Sequence, residues 1–401
     1  MKNIAIIGGG PAGLFAAEVA AKLGAKVDLY DAMPSVGRKF LVAGKSGLNL
    51  THDEPIEGFL KKYSATNLPE QQWRDIITSF DNHALRKWAS DLGIETFVAS
   101  SGKVFPSPDK GSIKAAPLLR NWIKSLRDLG VTFHTRHTWT AFEKPNQLTF
   151  SHQDTKLSTK PDATILALGG ASWPQTGSTA SWVDILKGHD ISITPLTSAN
   201  CGWEVAWPMP LLEEAEGLPL KNLLVSCGNS ARHGELVITR QGLEGGPIYH
   251  MGPSIRQQPE AHIIIDFKPD LSHEDLVSRM GKVKRNFVRE ARRRWKLDPG
   301  TCAILKFMPD RGPWKSTEEL AREVKHCRIP LTGPRPIAEA ISSAGGICWD
   351  EVDHSLMLKK IPHLYIAGEM IDWEAPTGGY LMQACFATAA HAAKSAVLHN
   401  Q

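Results

Sequence analysis

The chain opens with apolar and polar positions in two alternating rhythms. Lys2-Asn-Ile-Ala-Ile-Ile-Gly8 is a short apolar run, the pattern of a strand buried on both faces of a parallel sheet. From Pro11 to Leu23, Leu14, Ala17, Ala21 and other small apolar residues recur at helical spacing. Lys26-Val-Asp-Leu-Tyr-Asp31 predicts a second strand, so the chain begins as a βαβ unit. Further helices are predicted over 79–97 and over Pro117–Gly130. Between 131 and 168 the pattern becomes that of strands, ending in Ala163–Leu168 before two glycines. Residues 191–270 are rich in Pro, Gly and short β-like runs such as Glu235–Thr239 and His262–Asp266. From Leu271 to about Lys325 the pattern is helical, and strands return after Cys327. Leu364–Ala367 then precedes a long final helix from about Gly379. No internal repeat interrupts this order.

Composition narrows the class. A chain of 401 residues is too long for one ordinary core, and 42% hydrophobic residues suit a soluble globular enzyme. Cys201, Cys227, Cys302, Cys327, Cys348 and Cys385 form no CxxC pair, which argues against a zinc site, a disulfide framework and a redox dithiol. That usage suits a reducing cytosol, so a cytoplasmic location is expected. Lys2 and the apolar run after it resemble a signal peptide, but three glycines and Pro11 break the run and Glu18 and Lys22 follow. No apolar stretch reaches the roughly 18 residues of a membrane span.

The strongest chemical signal is Gly8-Gly-Gly10-Pro11-Ala12-Gly13, a GxGxxG directly after a strand and opening a helix. Gly8 permits a tight turn, Gly10 lets the backbone approach a pyrophosphate, and Gly13 allows close packing of helix on strand. Phosphates would then sit at the helix N-terminus, where free N–H groups and the dipole favour negative charge. Asp31 ends the second strand, where an acid hydrogen-bonds ribose. Later segments turn the expectation from NAD toward FAD. Gly37-Arg38-Lys39-Phe40 stands where a dehydrogenase would continue its βαβ units. Ala167-Leu-Gly169-Gly170 closes a strand with amides that can approach a dinucleotide. Gly368 and Asp372, in Leu364-Tyr-Ile-Ala-Gly-Glu-Met-Ile-Asp372, repeat the strand-then-acid logic. Gly378-Gly379-Tyr380 starts a helix whose N-terminus suits negative charge on a reduced flavin.

These segments resemble the BaiN-like family of bacterial flavoproteins, a branch of the glutathione-reductase-type FAD fold. The resemblance covers essentially the whole chain. It is carried by IAIIGGGPAGL, GRKFLVAGKSGLNLTH, FPSP, LALGGASWP, GLEGGPIYHMG, GGICWDEVD and LYIAGEMIDWEAPTGGYLMQACFAT. It implies an α/β chain whose Rossmann-like FAD-binding domain, 1–190 and 343–401, is split by an inserted β-rich domain, 191–270 and 327–342. A small helical domain follows at 271–326. The resemblance adds Asn49 and Thr51 to the FAD contacts and implies that Trp139 holds adenine through its backbone. FAD is expected to be noncovalent, since His52 is the only histidine near the isoalloxazine segment and no motif argues for attachment. No metal site is expected.

The chain also departs from the family. Where many members carry GGGRCN, this one has Gly44-Lys-Ser-Gly-Leu-Asn49, so Leu48 replaces a cysteine. The usual GGYN reads Gly378-Gly-Tyr-Leu381. No second GxGxxG follows a strand in the middle of the chain, so NAD(P)H is expected to bind transiently at the flavin. The resemblance implies reduction of carbon–carbon double bonds conjugated to carbonyls, in steroid-like acids or, for one branch, a ribosomal RNA uridine. Such chemistry needs a positioned proton donor. Tyr249, His250 and Tyr380 are the catalytic candidates, and plain hydrogen bonding inside the insert is the favoured reading of Tyr249 and His250. A flavin-bound sensor with little turnover is the remaining alternative.

Residues 282–296 hold eight Lys or Arg and one Glu, a net +7 against +4 for the whole chain. On one continuous helix, Lys282, Arg285, Arg289, Arg292, Arg293 and Lys296 would fall within about a 100° arc, opposite Phe287 and Trp295. A stripe of one sign suggests an anionic partner such as RNA, beside a solvated face as the plain reading.

Overall fold

The computed structural model describes residues 1–45, 47–107, 114–144, 146–153, 155–308 and 312–398. Pro108, the last residue of the FPSP motif, lies outside them. The chain divides into two compact units, Met1–Thr197 with Ser342–Gln401, and Ser198–Ile341.

The first unit is built on a five-stranded sheet in the order Leu364–Ile366, Ala163–Leu166, Asn3–Ile7, Lys26–Asp31, Thr132–Thr135. Every neighbouring pair is parallel. Ile4, Ile6, Ile165 and Leu166 are almost wholly buried, which is why these strands read as unbroken apolar runs rather than alternating ones. Two helices, Pro11–Lys22 and Tyr380–Leu398, pack on each other, with the rings of Phe15 and Phe386 centred 4.6 Å apart. Both are alanine-rich and buried over much of their circumference, so their hydrophobic pattern is broad rather than one-faced. Residues 138–144, 147–152 and 155–159 form an antiparallel three-stranded sheet, and 51–52, 96–98 and 103–106 form another.

Glu18 is a carboxylate only 1% exposed in this apolar setting. It accepts hydrogen bonds from Trp88 Nε1 (3.0 Å) and Trp122 Nε1 (2.7 Å), and from Lys22 Nζ (2.6 Å). Trp88 lies on the helix Asn82–Asp91 and Trp122 on Ala115–Asp128, so one side chain ties three helices together.

The second unit carries a seven-stranded sheet in the order 327–330, 262–266, 219–227, 230–238, 242–244, 203–204, 333–334, with antiparallel pairs. Helices His273–Met280, Phe287–Arg294, Pro299–Phe307 and Thr317–Lys325 follow. Ser272, Asp298 and Ser316 cap three of them by accepting from backbone amides, which divides the helical stretch into short pieces.

Several expectations change here. The stretch 79–97 holds not one helix but the end of Glu70–Ser79, the helix Asn82–Asp91 and the strand Thr96–Val98; Asp81 caps the second helix through Ala84 N (2.8 Å). The helices of 271–326 share one apolar core with the sheet: Leu276, Trp295, Ile304 and Leu320 pack in the same cluster as Leu220, Ile238 and Ile263. They therefore do not stand as a separate domain. The basic segment is helical only over Phe287–Arg294, because Asn286 takes a left-handed conformation with φ of 57°. A continuous stripe through Lys282 and Lys296 does not form.

Replacing Glu18 by Leu would leave two buried indole N–H groups unpaired, at about 1–3 kcal/mol each. Urea unfolding should show a clear loss of stability for Glu18→Leu and a smaller one for Glu18→Gln, whose amide oxygen still accepts.

Candidate functional site

The site forms where the first and last parts of the first unit meet across the parallel sheet. Gly8 has φ of +109°, and a Cβ there would run into the Ala167 carbonyl of the neighbouring strand end. A Cβ on Gly13 would land on the Gly8 carbonyl, so the helix sits as close to the strand turn as a glycine allows. Gly10 differs: a Cβ there meets nothing within 4 Å. Its open side faces a cleft with about 710 Å³ of free space, counted out into the solvent at its mouth.

The walls come from six segments. Gly8–Ala12 and Asp31 belong to the βαβ start, Ser35 and Gly37–Lys39 to the following turn and helix, and Ala167–Gly169 to the end of the strand Ala163–Leu166. Thr176–Ser178 and Ala367–Glu369 complete the rim, with Cys385 from the final helix. The first intrahelical bond of Pro11–Lys22 runs from Leu14 N to Gly10 O at 2.9 Å, so the amides of Ala12 and Gly13 precede it at the positive end of the helix.

Electrostatics add to this. Asp31 accepts from Gly9 N and Met33 N, both at 2.7 Å, which fixes the glycine turn to the end of the second strand. Burial pushes the Asp31 carboxyl up, against the pull of those two amides and the Arg38 charge. Arg38 reaches Ser35 Oγ at 3.3 Å, while its Nε is buried with no partner. Lys39 binds Ser172 Oγ (2.7 Å) and Glu369 Oε2 (2.9 Å), joining two walls of the cleft. The Cys385 thiol is held far above its ordinary range by burial and by the nearby Glu369 charge, so it stays a neutral thiol.

An open glycine, a helix start with unclaimed amides and an arginine nitrogen lacking a partner suit the pyrophosphate of a dinucleotide. The residues present thus fit FAD. Among the described residues no cluster of His, Cys, Asp and Glu suits a metal ion, and no helix is long and apolar enough to cross a membrane.

Of the sequence candidates, Gly8, Gly10, Pro11, Ala12, Asp31, Gly37, Arg38, Lys39, Ala167, Gly169 and Gly368 line this cleft. Gly13 supports it from behind. Gly170 is required by close contact with the Ser343 side chain, and Gly379 by contact with the Thr51 backbone. Gly378 has φ of +134° in the turn before it. Thr51 is buried and donates to Gln383 Oε1 (2.8 Å). Asn49 Oδ1 and Trp139 Nε1 are buried without partners, outside the cleft wall. Asp372 is also off the cleft: it is buried and accepts from Thr194 Oγ1 at 2.8 Å.

Glu369, the acid directly after Gly368, is the one on the wall. Strand-then-acid reasoning led to Asp372, and only adjacency to the glycine signalled Glu369. Ser35, Thr176 and Ser178 sit in turns that carry no motif. Among the catalytic candidates, Tyr249 and His250 belong to the second unit and Tyr380 to the first. The Tyr249 hydroxyl donates to Glu244, and burial together with that bond pushes it well up. His250 also has an interaction partner.

Comparisons with known proteins agree with this architecture. Residues 2–395 match the family described as HI0933-like protein Rossmann domain. A 3-dehydro-bile acid delta(4,6)-reductase from Clostridium scindens is 24% identical over 99% of both chains. A ribosomal RNA dihydrouridine synthase from Escherichia coli is 22% identical over 96% of this chain and 95% of its own. Among solved structures, a 3-ketosteroid-delta4-(5alpha)-dehydrogenase from Rhodococcus jostii aligns with a TM-score of 0.53 at 15% identity, over 100% of this chain and 97% of the other. The chain belongs to the HI0933-like Rossmann-domain family, a family of FAD-dependent oxidoreductases.

Proposed function

We propose that the chain holds FAD noncovalently in the cleft and reduces a carbon–carbon double bond conjugated to a carbonyl, with electrons from NAD(P)H. The observation that carries the cofactor reading is the open Gly10 at the start of the Pro11–Lys22 helix, on a cleft that Arg38 also lines. The substrate class is supported by the similarity to the 3-dehydro-bile acid delta(4,6)-reductase.

Bound FAD supplies a two-electron carrier. In this reading Arg38 and the first-turn amides neutralise its phosphates, and Asp31 retains lone pairs for a ribose hydroxyl beyond the two amides it already binds. Lys39 places a cation within the site, balanced by Glu369. Two free cysteines near each other are not needed, and Cys385, a neutral thiol, takes no part in a dithiol cycle.

A second reading rests on the basic segment. Lys282, Lys284, Arg285, Arg289, Arg292, Arg293 and Lys296 are all exposed, whereas Arg294 is turned in to Glu290 and the Met280 carbonyl. Seven exposed cations close together suit a polyanion such as structured RNA even without a continuous stripe. Replacing Arg285, Arg289, Arg292 and Arg293 by Gln should weaken RNA binding and flatten its dependence on salt. An unchanged salt slope would reduce the segment to a solvated face.

Purified protein should be yellow and release FAD, not FMN, into the supernatant on acid precipitation. Gly10→Val should lose FAD yet melt cooperatively, because its side chain meets only the cleft. Gly13→Val should lose both, since its side chain overlaps the Gly8 carbonyl. Anaerobic reduction with NAD(P)H, followed by steroid-like conjugated ketones, should reoxidise the flavin; failure of every such compound would remove the substrate reading.

A further inference from the structure

We infer that Tyr380, Glu54 and His52 form a proton relay for the reduction proposed above, on which this inference rests. The Tyr380 hydroxyl donates to Glu54 Oε1. The same oxygen lies 3.7 Å from His52 Nδ1, a buried nitrogen with no hydrogen-bond partner. The imidazole stacks on the phenol with ring centres 5.3 Å apart and planes 17° from parallel. One carboxylate oxygen therefore has a phenol proton on one side and an unsatisfied ring nitrogen on the other.

The hydrogen-bond directions say how the ring is loaded. His52 Nε2 is 3.1 Å from the Ser101 carbonyl, which only accepts, so Nε2 carries the hydrogen. In the neutral ring Nδ1 is then a bare lone pair beside a carboxylate oxygen, which explains why no bond forms there. Protonation turns Nδ1 into a donor aimed at Glu54. The nearby cation Arg86 pairs with Asp53 at 3.2 Å, and Lys103 stands across the strand pair from His52. Among the described residues neither Lys nor Arg forms an ion pair with Glu54.

Position and exposure give the relay a direction. Tyr380 is 5% exposed, whereas the side chains of His52 and Glu54 each keep 19%. Tyr380 opens the final helix directly after Gly379, which is pressed on the Thr51 backbone. Cys385, five residues on, lines the cleft, so Tyr380 lies about 7.5 Å further along the helix axis from that wall. Leu48 is buried and has no proton to give.

The transfer balances as follows for a C=C–C=O substrate. The β-carbon would gain the hydride that a bound reduced flavin supplies, the flavin being left oxidised by two electrons. The Tyr380 O–H bond breaks as a C–H bond forms at the α-carbon. His52, protonated at Nδ1 by a solvent proton, passes a proton to the Glu54 carboxylate, Glu54 passes one to the phenolate oxygen, and His52 is left neutral again.

The chain has five tyrosines, so the FAD-loaded protein labelled with carbon-13 at the tyrosine ζ position yields five NMR signals, and the one lost in Tyr380→Phe identifies Tyr380. That signal should move in Glu54→Gln, which removes the carboxylate acceptor, and also in His52→Gln. Separately, reoxidation of the reduced protein by a steroid-like conjugated ketone is measured relative to reoxidation by ferricyanide, which protonates no carbon. The ratio should fall about 100- to 10,000-fold in Tyr380→Phe, and fall in Glu54→Gln too. FAD content and near-ultraviolet circular dichroism identify any variant that has lost its fold. A Tyr380 signal that stays in place in folded Glu54→Gln, or an unchanged ratio in folded Tyr380→Phe, overturns the relay. If no conjugated ketone reoxidises the parent, the proposed reaction fails, and the NMR shifts still decide whether the three groups are coupled.

Discussion

The close approach of Gly8, Gly13 and Ala167 is the constraint on which the rest of the first unit depends. Side-chain atoms at either glycine would overlap a backbone carbonyl, so helix, strand turn and neighbouring strand meet at a distance only glycine permits. That contact sets the helix start against the end of the sheet and keeps its first amides clear. It also holds the Ala167–Gly169 turn in the cleft wall. Loosening it would separate the amide donors from the segments that face them.

A parallel sheet makes the site a meeting of distant segments. The strand Leu364–Ile366 pairs with Ala163–Leu166, which pairs with Asn3–Ile7. Carboxyl ends of neighbouring parallel strands lie side by side, which is where open α/β sheets bind ligands. The Lys39–Glu369 ion pair spans 330 positions of sequence across that edge. Behind it, Glu18 holds the indoles of Trp88 and Trp122, and Phe386 packs among Phe15, Trp88 and Trp122. The polar tie and the aromatic packing fix the helices that carry the cleft's rear wall.

Charge is handled differently in the two units. In the first, cations at the cleft are few and mostly neutralised: Lys39 by Glu369, and Arg38 in part by the Asp31 charge. In the second, most cations of residues 282–296 stay in solvent, and among the described residues Glu290 is the acid that pairs with them, through Arg293 and Arg294. A half-buried cation with an unpartnered nitrogen suits a single anionic group, whereas exposed cations in number suit an extended one.

The sequence by itself determined the βαβ start, the order of the two outer segments and most of the cleft wall. Those features rest on local rules: an apolar strand, glycines where backbones must touch, and an acid at a strand end. The boundaries inside 79–97 and 271–326 were not legible, because the breaks depend on Asp81, Ser272, Asn286 and Asp298 taking capping or left-handed conformations inside otherwise helical composition. Tertiary structure alone decided that Glu369 rather than Asp372 reaches the cleft, since Thr194 from a distant strand claims Asp372. It alone brought His52 and Glu54 to Tyr380. No spacing rule links residues more than 300 positions apart; only the packing of the final helix on residue 51 puts them in contact, because such contacts follow from how the segments fold together and not from the order of residues along the chain.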